Sequence, residues 1–296
     1  MITMRHALLF LLSLLFSLAL AAQEHVNYPL PSDPDTLRIL AIGNSFSDDG
    51  TMYLPDLLEG ADIHNVIVAR LYIGGCSLER HCDEYGGNFS HYKYYKSVAN
   101  RWETVSEKAT LLDGLCDEPW DIVSIQQSSP LSGVWSSYEP WAGKLIDIIR
   151  RHCTNPEATI VWHQTWAYAT DSRHPHFKDY GKDQAKMVVR INTCLAKLQM
   201  SEDIPVVIPT GDLVQMLRGT DLSGEGELTR DGYHLDLDYG RYAAACVWFE
   251  ALIEPTLGVP VTESRARLEG TKHELDPKKA RLCRKMASKA VREFDM

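Results

Sequence analysis

Three residues have the types and the chain order of an acyl-transfer apparatus. Ser45 lies in Gly43-Asn44-Ser45-Phe46-Ser47-Asp48-Asp49-Gly50, directly after the apolar run Leu37 to Ile42. Gly43 permits a tight turn, which places the serine at the mouth of whatever sheet the run joins. A helix cap or a phosphate-binding turn would use similar residues. The segment, however, lacks the glycine spacing of a dinucleotide loop and the lysine of a P-loop. A serine hydroxyl becomes nucleophilic only beside a base. Of the eleven histidines, His234 stands out, in Arg230-Asp231-Gly232-Tyr233-His234-Leu235 just before a helical pattern. Asp231, three residues upstream, can hold the imidazole in one tautomer and stabilise the imidazolium formed when it takes the serine proton. Alone, an Asp-x-x-His is an ordinary surface loop. Joined to a serine after the first strand, it reads as serine-hydrolase chemistry.

These residues need a scaffold, and the apolar pattern predicts one. Short apolar runs at Leu37 to Ile42, Val66 to Ile73, Asp121 to Ile125, Thr159 to Trp162 and Pro205 to Ile208 read as five buried strands. Helical patterns lie between or after them, at Tyr53 to Gly60, Val98 to Leu115, Trp141 to His152, Asp183 to Leu198 and Asp238 to Ile253. Continuous apolar strands separated by helices predict a parallel sheet covered on both faces. Ligands then collect at the carboxyl ends of the strands. The loop His163-Gln164-Thr165-Trp166-Ala167-Tyr168, leaving the fourth strand, should therefore face the site. His163 and Trp166 are candidate substrate-binding residues, the aromatic ring suiting a sugar face. For Trp166 a core position stands as an equal alternative, since large aromatics are mostly buried. The tyrosine-rich stretch Glu79 to Tyr95 is a candidate substrate lid. Thr210 and Asp212, after the fifth strand, read as helix-capping residues.

Composition sets the boundaries. The 296 residues carry 30 Lys+Arg and 40 Asp+Glu, a formal net charge of −10. That acidity argues against nucleic acid and anionic membrane surfaces as partners. Residues 1–22 read as a signal peptide, with Arg5, an apolar run from Ala7 to Leu20 and a small-residue cleavage pattern at Ala19 to Ala21. The mature chain is expected to be exported, periplasmic or secreted, without stable membrane insertion. Residues 23–36 form a Pro-containing lead-in, 37–262 the catalytic domain, and 263–296 a charged helical tail packed on it. Its helix, Lys278 to Phe294, is expected to be a solvated face rather than a partner site. Seven cysteines include no Cys-x-x-Cys pair and no zinc-like spacing. No metal, cofactor or protein partner is implied, and a Cys76–Cys82 bridge is left open.

Leu40-Ala41-Ile42-Gly43-Asn44-Ser45-Phe46-Ser47 resembles the first block of the SGNH (GDSL-type) hydrolases, G-[DN]-S-[LFI]-[ST]. The resemblance covers about Leu37 to Phe249. It implies a flavodoxin-like three-layer α/β/α sandwich, with Ser45 as nucleophile, His234 as base and Asp231 as its orienting acid. Ile73-Gly74-Gly75-Cys76-Ser77 resembles the second block, which implies that the Gly75 N–H serves the oxyanion hole. The third block departs from the pattern. Instead of Gly-x-Asn, the strand runs into Gln126-Gln127-Ser128-Ser129. The carbohydrate and sialate O-acetylesterase branch has a glutamine here, and a glutamine amide can donate the same bond. Both Gln126 and Gln127 are kept as oxyanion candidates. The whole is similar to an uncharacterised exported bacterial SGNH-like branch. It implies a serine esterase acting on O-acyl, foremost O-acetyl, esters of an acylated carbohydrate. The alternatives are a lipase or thioesterase of the same fold, and a carbohydrate-binding protein that keeps the fold without the activity.

Overall fold

The computed structural model describes residues 35–266, 268 and 275–294. The signal-peptide reading of 1–22 and nearly all of the lead-in lie outside them. Seven strands form one sheet: β1 (Leu37–Gly43), β2 (Val66–Tyr72), β3 (Tyr92–Val98), β4 (Arg101–Ala109), β5 (Ile122–Ile125), β6 (Thr159–His163) and β7 (Val206–Ile208). Their order is β4-β3-β2-β1-β5-β6-β7. The five runs read as strands are β2, β1, β5, β6 and β7, all parallel. In β1, Leu37, Ile39 and Ala41 face one apolar cluster and Leu40 and Ile42 the other, as the period of two requires.

Three expectations fail at one edge. The sheet has seven strands rather than five, because β3 and β4 extend it antiparallel beyond β2. The predicted helix from Val98 to Leu115 is instead mostly β4, followed by a short helix, Leu111–Leu115. Likewise, the candidate lid Glu79 to Tyr95 is a helix, Leu78–Gly86, running on into β3. The reason is local. Tyr92 and Tyr94 bury on the sheet while Lys93 stays out, a period of two. Ala99 and Asn100 both adopt positive φ, 47° and 58°, joining Val98 to its partner Arg101 by a two-residue turn. Positive φ at both central residues is the type I′ geometry that matches strand twist.

The helices that matter for the site are α1 (Ser45–Thr51), α2 (Leu54–Gly60), α3 (Leu78–Gly86) and α4 (Leu111–Leu115). They are followed by α5 (Trp141–His152), α6 (Gln184–Ser201), α7 (Thr210–Arg218), α8 (Tyr239–Leu252), α9 (Glu254–Leu257) and α10 (Pro277–Phe294). Twelve of the fourteen residues of α8 are buried. One side of α8 meets the sheet cluster, and the other meets Ala280, Cys283, Ala287 and Ala290 of α10. Fully buried Trp248 and Phe249 each contribute on the order of 2–3 kcal/mol of apolar burial to this arrangement. Among the described residues no helix is long and apolar enough to cross a membrane, and all seven cysteines, Cys76 and Cys82 included, are free thiols.

Candidate active site

The nucleophile candidate is set by the end of β1. A Cβ on Gly43 would lie 2.5 Å from Ser47 Oγ and 3.2 Å from Gln126 Cδ, so the missing side chain lets α1 start close against the strand ends. Asn44 caps that helix, its Oδ1 accepting the Phe46 N–H at 3.0 Å, and its Nδ2 donates to the Cys76 carbonyl at 2.9 Å. Ser45 is thus the first residue of α1, where the backbone N–H has no intrahelical acceptor.

The candidate base comes from a loop 189 residues away in sequence. Thr229 and Leu235 pair across its neck, and the Arg230 N–H donates to the His234 carbonyl at 2.9 Å. Gly232 has φ +87°, the left-handed region, and lies so close to Ser172 that a Cβ would meet its Cα at 2.9 Å. His234 Nε2 is 2.9 Å from Ser45 Oγ, and His234 Nδ1 is 2.7 Å from Asp231 Oδ2. The other Asp231 oxygen accepts the N–H groups of Tyr233 and His234, at 3.2 and 2.7 Å. Desolvation pushes the Asp231 carboxyl up, but the side-chain and backbone hydrogen bonds from His234 outweigh it and hold it below the ordinary carboxylate value. An ionised carboxylate only accepts, so Nδ1 carries the imidazole proton and Nε2 accepts from the Ser45 hydroxyl. All three sequence candidates are therefore joined in one row of hydrogen bonds.

Both glutamine side chains lie inside the protein. Gln126 is 1% exposed, with its Nε2 donating to Asn44 Oδ1 at 2.9 Å and its Oε1 2.7 Å from His163 Nδ1. Gln127 is 0% exposed; its amide donates to Ser137 and its carbonyl accepts the N–H groups of Leu78 and Ser128. Both are used inside the protein because the strand end that carries them is covered, which the sequence did not reveal. His163 is likewise buried rather than substrate-facing. Burial lowers its pKa to about 3, so it stays neutral, donating to Gln126 and accepting from Thr210 Oγ1 at 3.0 Å. Thr210, His163, Gln126 and Asn44 form one internal relay that ends beside Ser45. Trp166 takes its core alternative. It is 0% exposed, stacks on Phe46 at 4.0 Å, and its Nε1–H donates to the Tyr233 carbonyl at 2.7 Å. It braces the loop of His234 from behind instead of meeting a sugar. Gly75, by contrast, lies in an exposed turn with φ +63° and open space where a Cβ would be.

Residues that the sequence reading overlooked hold the two halves together. Asp49, on α1, has a side chain with 0% exposure. Its carboxylate accepts the Leu235 N–H at 2.9 Å, Arg230 Nη1 at 3.0 and 3.1 Å, and Arg241 Nε at 2.7 Å and Nη2 at 2.6 Å. Burial raises its pKa despite the two guanidinium groups. Next to it, Asp48 pairs with Arg70 of β2 at 2.6 Å. Trp102 of β4 covers that guanidinium at 4.0 Å and donates its Nε1–H to the Met52 carbonyl at 2.9 Å. The extra hairpin thus braces α1, the helix that carries Ser45. The one available signal was Asp48-Asp49 directly after the serine block.

The fold and the site define an α/β protein with a mostly parallel sheet and a Ser–His–Asp row at the carboxyl ends of its strands. The chain belongs to the family described as "Domain of unknown function (DUF4886)", whose profile matches residues 38–290. It is similar to the crystal structure of a DUF4886 family protein from Bacteroides uniformis, with 39% identity and a TM-score of 0.79 over 88% of this chain and 97% of that one. More distant are Axe2, an acetylxylan esterase from Geobacillus stearothermophilus (12% identity, TM-score 0.44, 73% and 94% covered), and a putative acylhydrolase from Bacteroides fragilis (15%, 0.43, 79% and 94%). Likenesses this distant carry no argument about an activity of this chain. No curated protein matches it.

Proposed function

We propose that this protein is a serine esterase of the SGNH type, hydrolysing O-acyl esters, with acetyl groups on carbohydrate as the foremost substrate. The observation that carries the reading is the unbroken row from Asp231 through His234 to Ser45, at 2.7 and 2.9 Å. In this mechanism Ser45 Oγ attacks the ester carbonyl carbon while His234 Nε2 takes its proton. Asp231 stabilises the resulting imidazolium. The alcohol leaves with that proton as its bond to the acyl carbon breaks, and water then releases the acid from Ser45, again with His234 as base. The N–H groups of Ser45 and Gly75 are the proposed oxyanion donors. Gly75 suits this role because no side chain of its own crowds the position. Carbohydrate is favoured because Tyr233 and His174, rings 4.7 Å apart, form the surface next to His234. Aromatic and imidazole groups suit a sugar better than an acyl chain.

The test pairs fluorophosphonate labelling with acetate release from acetylated sugars. Labelling confined to Ser45 and lost in Ser45→Ala, together with acetate release, would support the reading. An unlabelled, inactive wild-type protein would move the assignment to a binding protein that keeps the fold.

A further inference from the structure

We propose that a cationic pocket beside the His234 loop is an anion subsite, selecting acyl esters whose alcohol part carries a carboxylate or a phosphate. This deepens the esterase reading and rests on it. The segment leaving the carboxyl end of β6 folds back on the base loop. The Ala169 N–H donates to the Gly232 carbonyl at 2.9 Å, and Ser172 packs against Gly232. Past that anchor, Thr170, Asp171, Arg173, His174, Lys178 and Lys182 line most of a cavity of about 500 Å³. Its wall leads directly to the site. The His174 ring is 4.7 Å from that of Tyr233, and the Tyr233 ring is 4.2 Å from that of His234.

Three permanent cations, Arg173, Lys178 and Lys182, line this cavity against one carboxylate, Asp171. The chain as a whole carries a net charge of −10, so the local sign is reversed. The nearby acids are engaged elsewhere. Asp179 pairs with His176 at 2.9 Å, Asp183 accepts the Lys186 N–H at 3.0 Å, and Glu227 accepts from Gln184 at 2.6 Å and faces Arg218. Among the described residues, none of the three cations has an ion-pair partner. The backbone is shaped to gather them. After the 3₁₀ turn Pro175–Tyr180, Gly181 and Lys182 both take positive φ, 71° and 54°. Their N–H groups return to the carbonyls of Lys178 and Phe177, at 2.9 and 3.0 Å. A lysine seldom adopts that conformation, and here it brings Lys178 and Lys182 to one cavity. Cations left without counter-charges on a concave wall concentrate anions and bind them by charge-assisted bonds.

The test measures kcat/KM for acetate release from an acetylated methyl glucoside and from its glucuronoside and sugar-phosphate counterparts. The anionic esters should be favoured by about tenfold, a preference that shrinks in about 0.5 M salt as screening shortens the field. Replacing Arg173, Lys178 and Lys182 by Gln should bring the ratio of anionic to neutral ester close to one. Whichever anion is preferred names the source of the charge. Equal kcat/KM for all three esters in the wild type would overturn the proposal, as would a preference that survives the triple substitution. Should that variant fail to fold, Lys178→Gln alone and the salt dependence of the wild type decide the same point. Hydrolysis of the neutral ester without charge preference sinks this inference alone, whereas no hydrolysis of any ester sinks the esterase reading.

Discussion

Replacing Asp49 by Asn tests whether the nucleophile and its base are held by one buried carboxylate. The change keeps the shape of the side chain but removes its charge and turns one acceptor oxygen into a donor. In the native protein that carboxylate receives two guanidinium groups and the Leu235 N–H. Breaking a buried ion pair from one side costs about 3–5 kcal/mol. The lower end applies here, for two reasons. The Arg230 side chain is 32% exposed and can turn to water, and Arg241 retains Asp48 at 3.7 Å. A loss of about 3 kcal/mol in unfolding free energy is therefore expected, read as a lower urea midpoint with unchanged slope. The catalytic effect follows from Leu235, the neighbour of His234. Once its N–H loses its acceptor, the loop is free to shift by a fraction of an ångström, enough to spoil the 2.9 Å contact with Ser45. For an aryl acetate, kcat should fall roughly 10- to 100-fold while KM changes little. A variant that loses stability yet keeps wild-type kcat would refute the positioning argument, leaving Asp49 a purely structural residue.

Ser45→Ala should abolish ester hydrolysis with little change in stability, since among the described residues the hydroxyl bonds only to His234; full activity would overturn the assignment. His234→Ala should damage kcat more than Asp231→Asn, measured on the same ester, because backbone contacts of the loop still orient the imidazole. Gln126→Ala should lower the unfolding free energy by about 1–3 kcal/mol, read as a lower urea midpoint, because the buried His163 Nδ1–H loses its acceptor; an unchanged midpoint would break the internal relay. Asp56 is raised to about 6 by desolvation. A folded value above the unfolded one means that stability falls as pH rises from about 4 through 6. Asp56→Asn should thus be more stable than wild type at pH 8, by about 1–3 kcal/mol after solvent screening, and equal to it near pH 3. On aryl esters, kcat/KM should decline from acetate to octanoate; a rise would favour the lipase or thioesterase reading.

The parallel part of the sheet was legible because its strands are buried on both faces and read as unbroken apolar runs. β3 and β4 were not, because the antiparallel hairpin at the sheet's end interleaves Lys, Glu and Ser with aromatics, and Arg101 to Ala109 has no apolar run at all. Ser45, Asp231 and His234 were legible because order and local spacing suffice to name them. Burial is what spacing does not reveal. Gln126, His163 and Trp166 follow strands at the right end of the sheet, yet their side chains turn inward and support the site from beneath. Asp49 was missed for a related reason. A carboxylate on a helix normally faces water, and its partners Arg230 and Arg241 lie 181 and 192 residues further along the chain.

The helix enclosed between the sheet and α10 makes chain order matter during synthesis. α8 begins five residues after His234 and is apolar nearly all round. α10 follows every strand, so a ribosome must release it before α8 can be covered on both sides. Until then a segment containing Trp248, Phe249 and Leu252 is open to other nascent chains or to a chaperone. Emergence of α10 rather than sheet formation would then time the closing of the core. Truncation before Pro277 would leave that exposure permanent, turning a folding delay into aggregation.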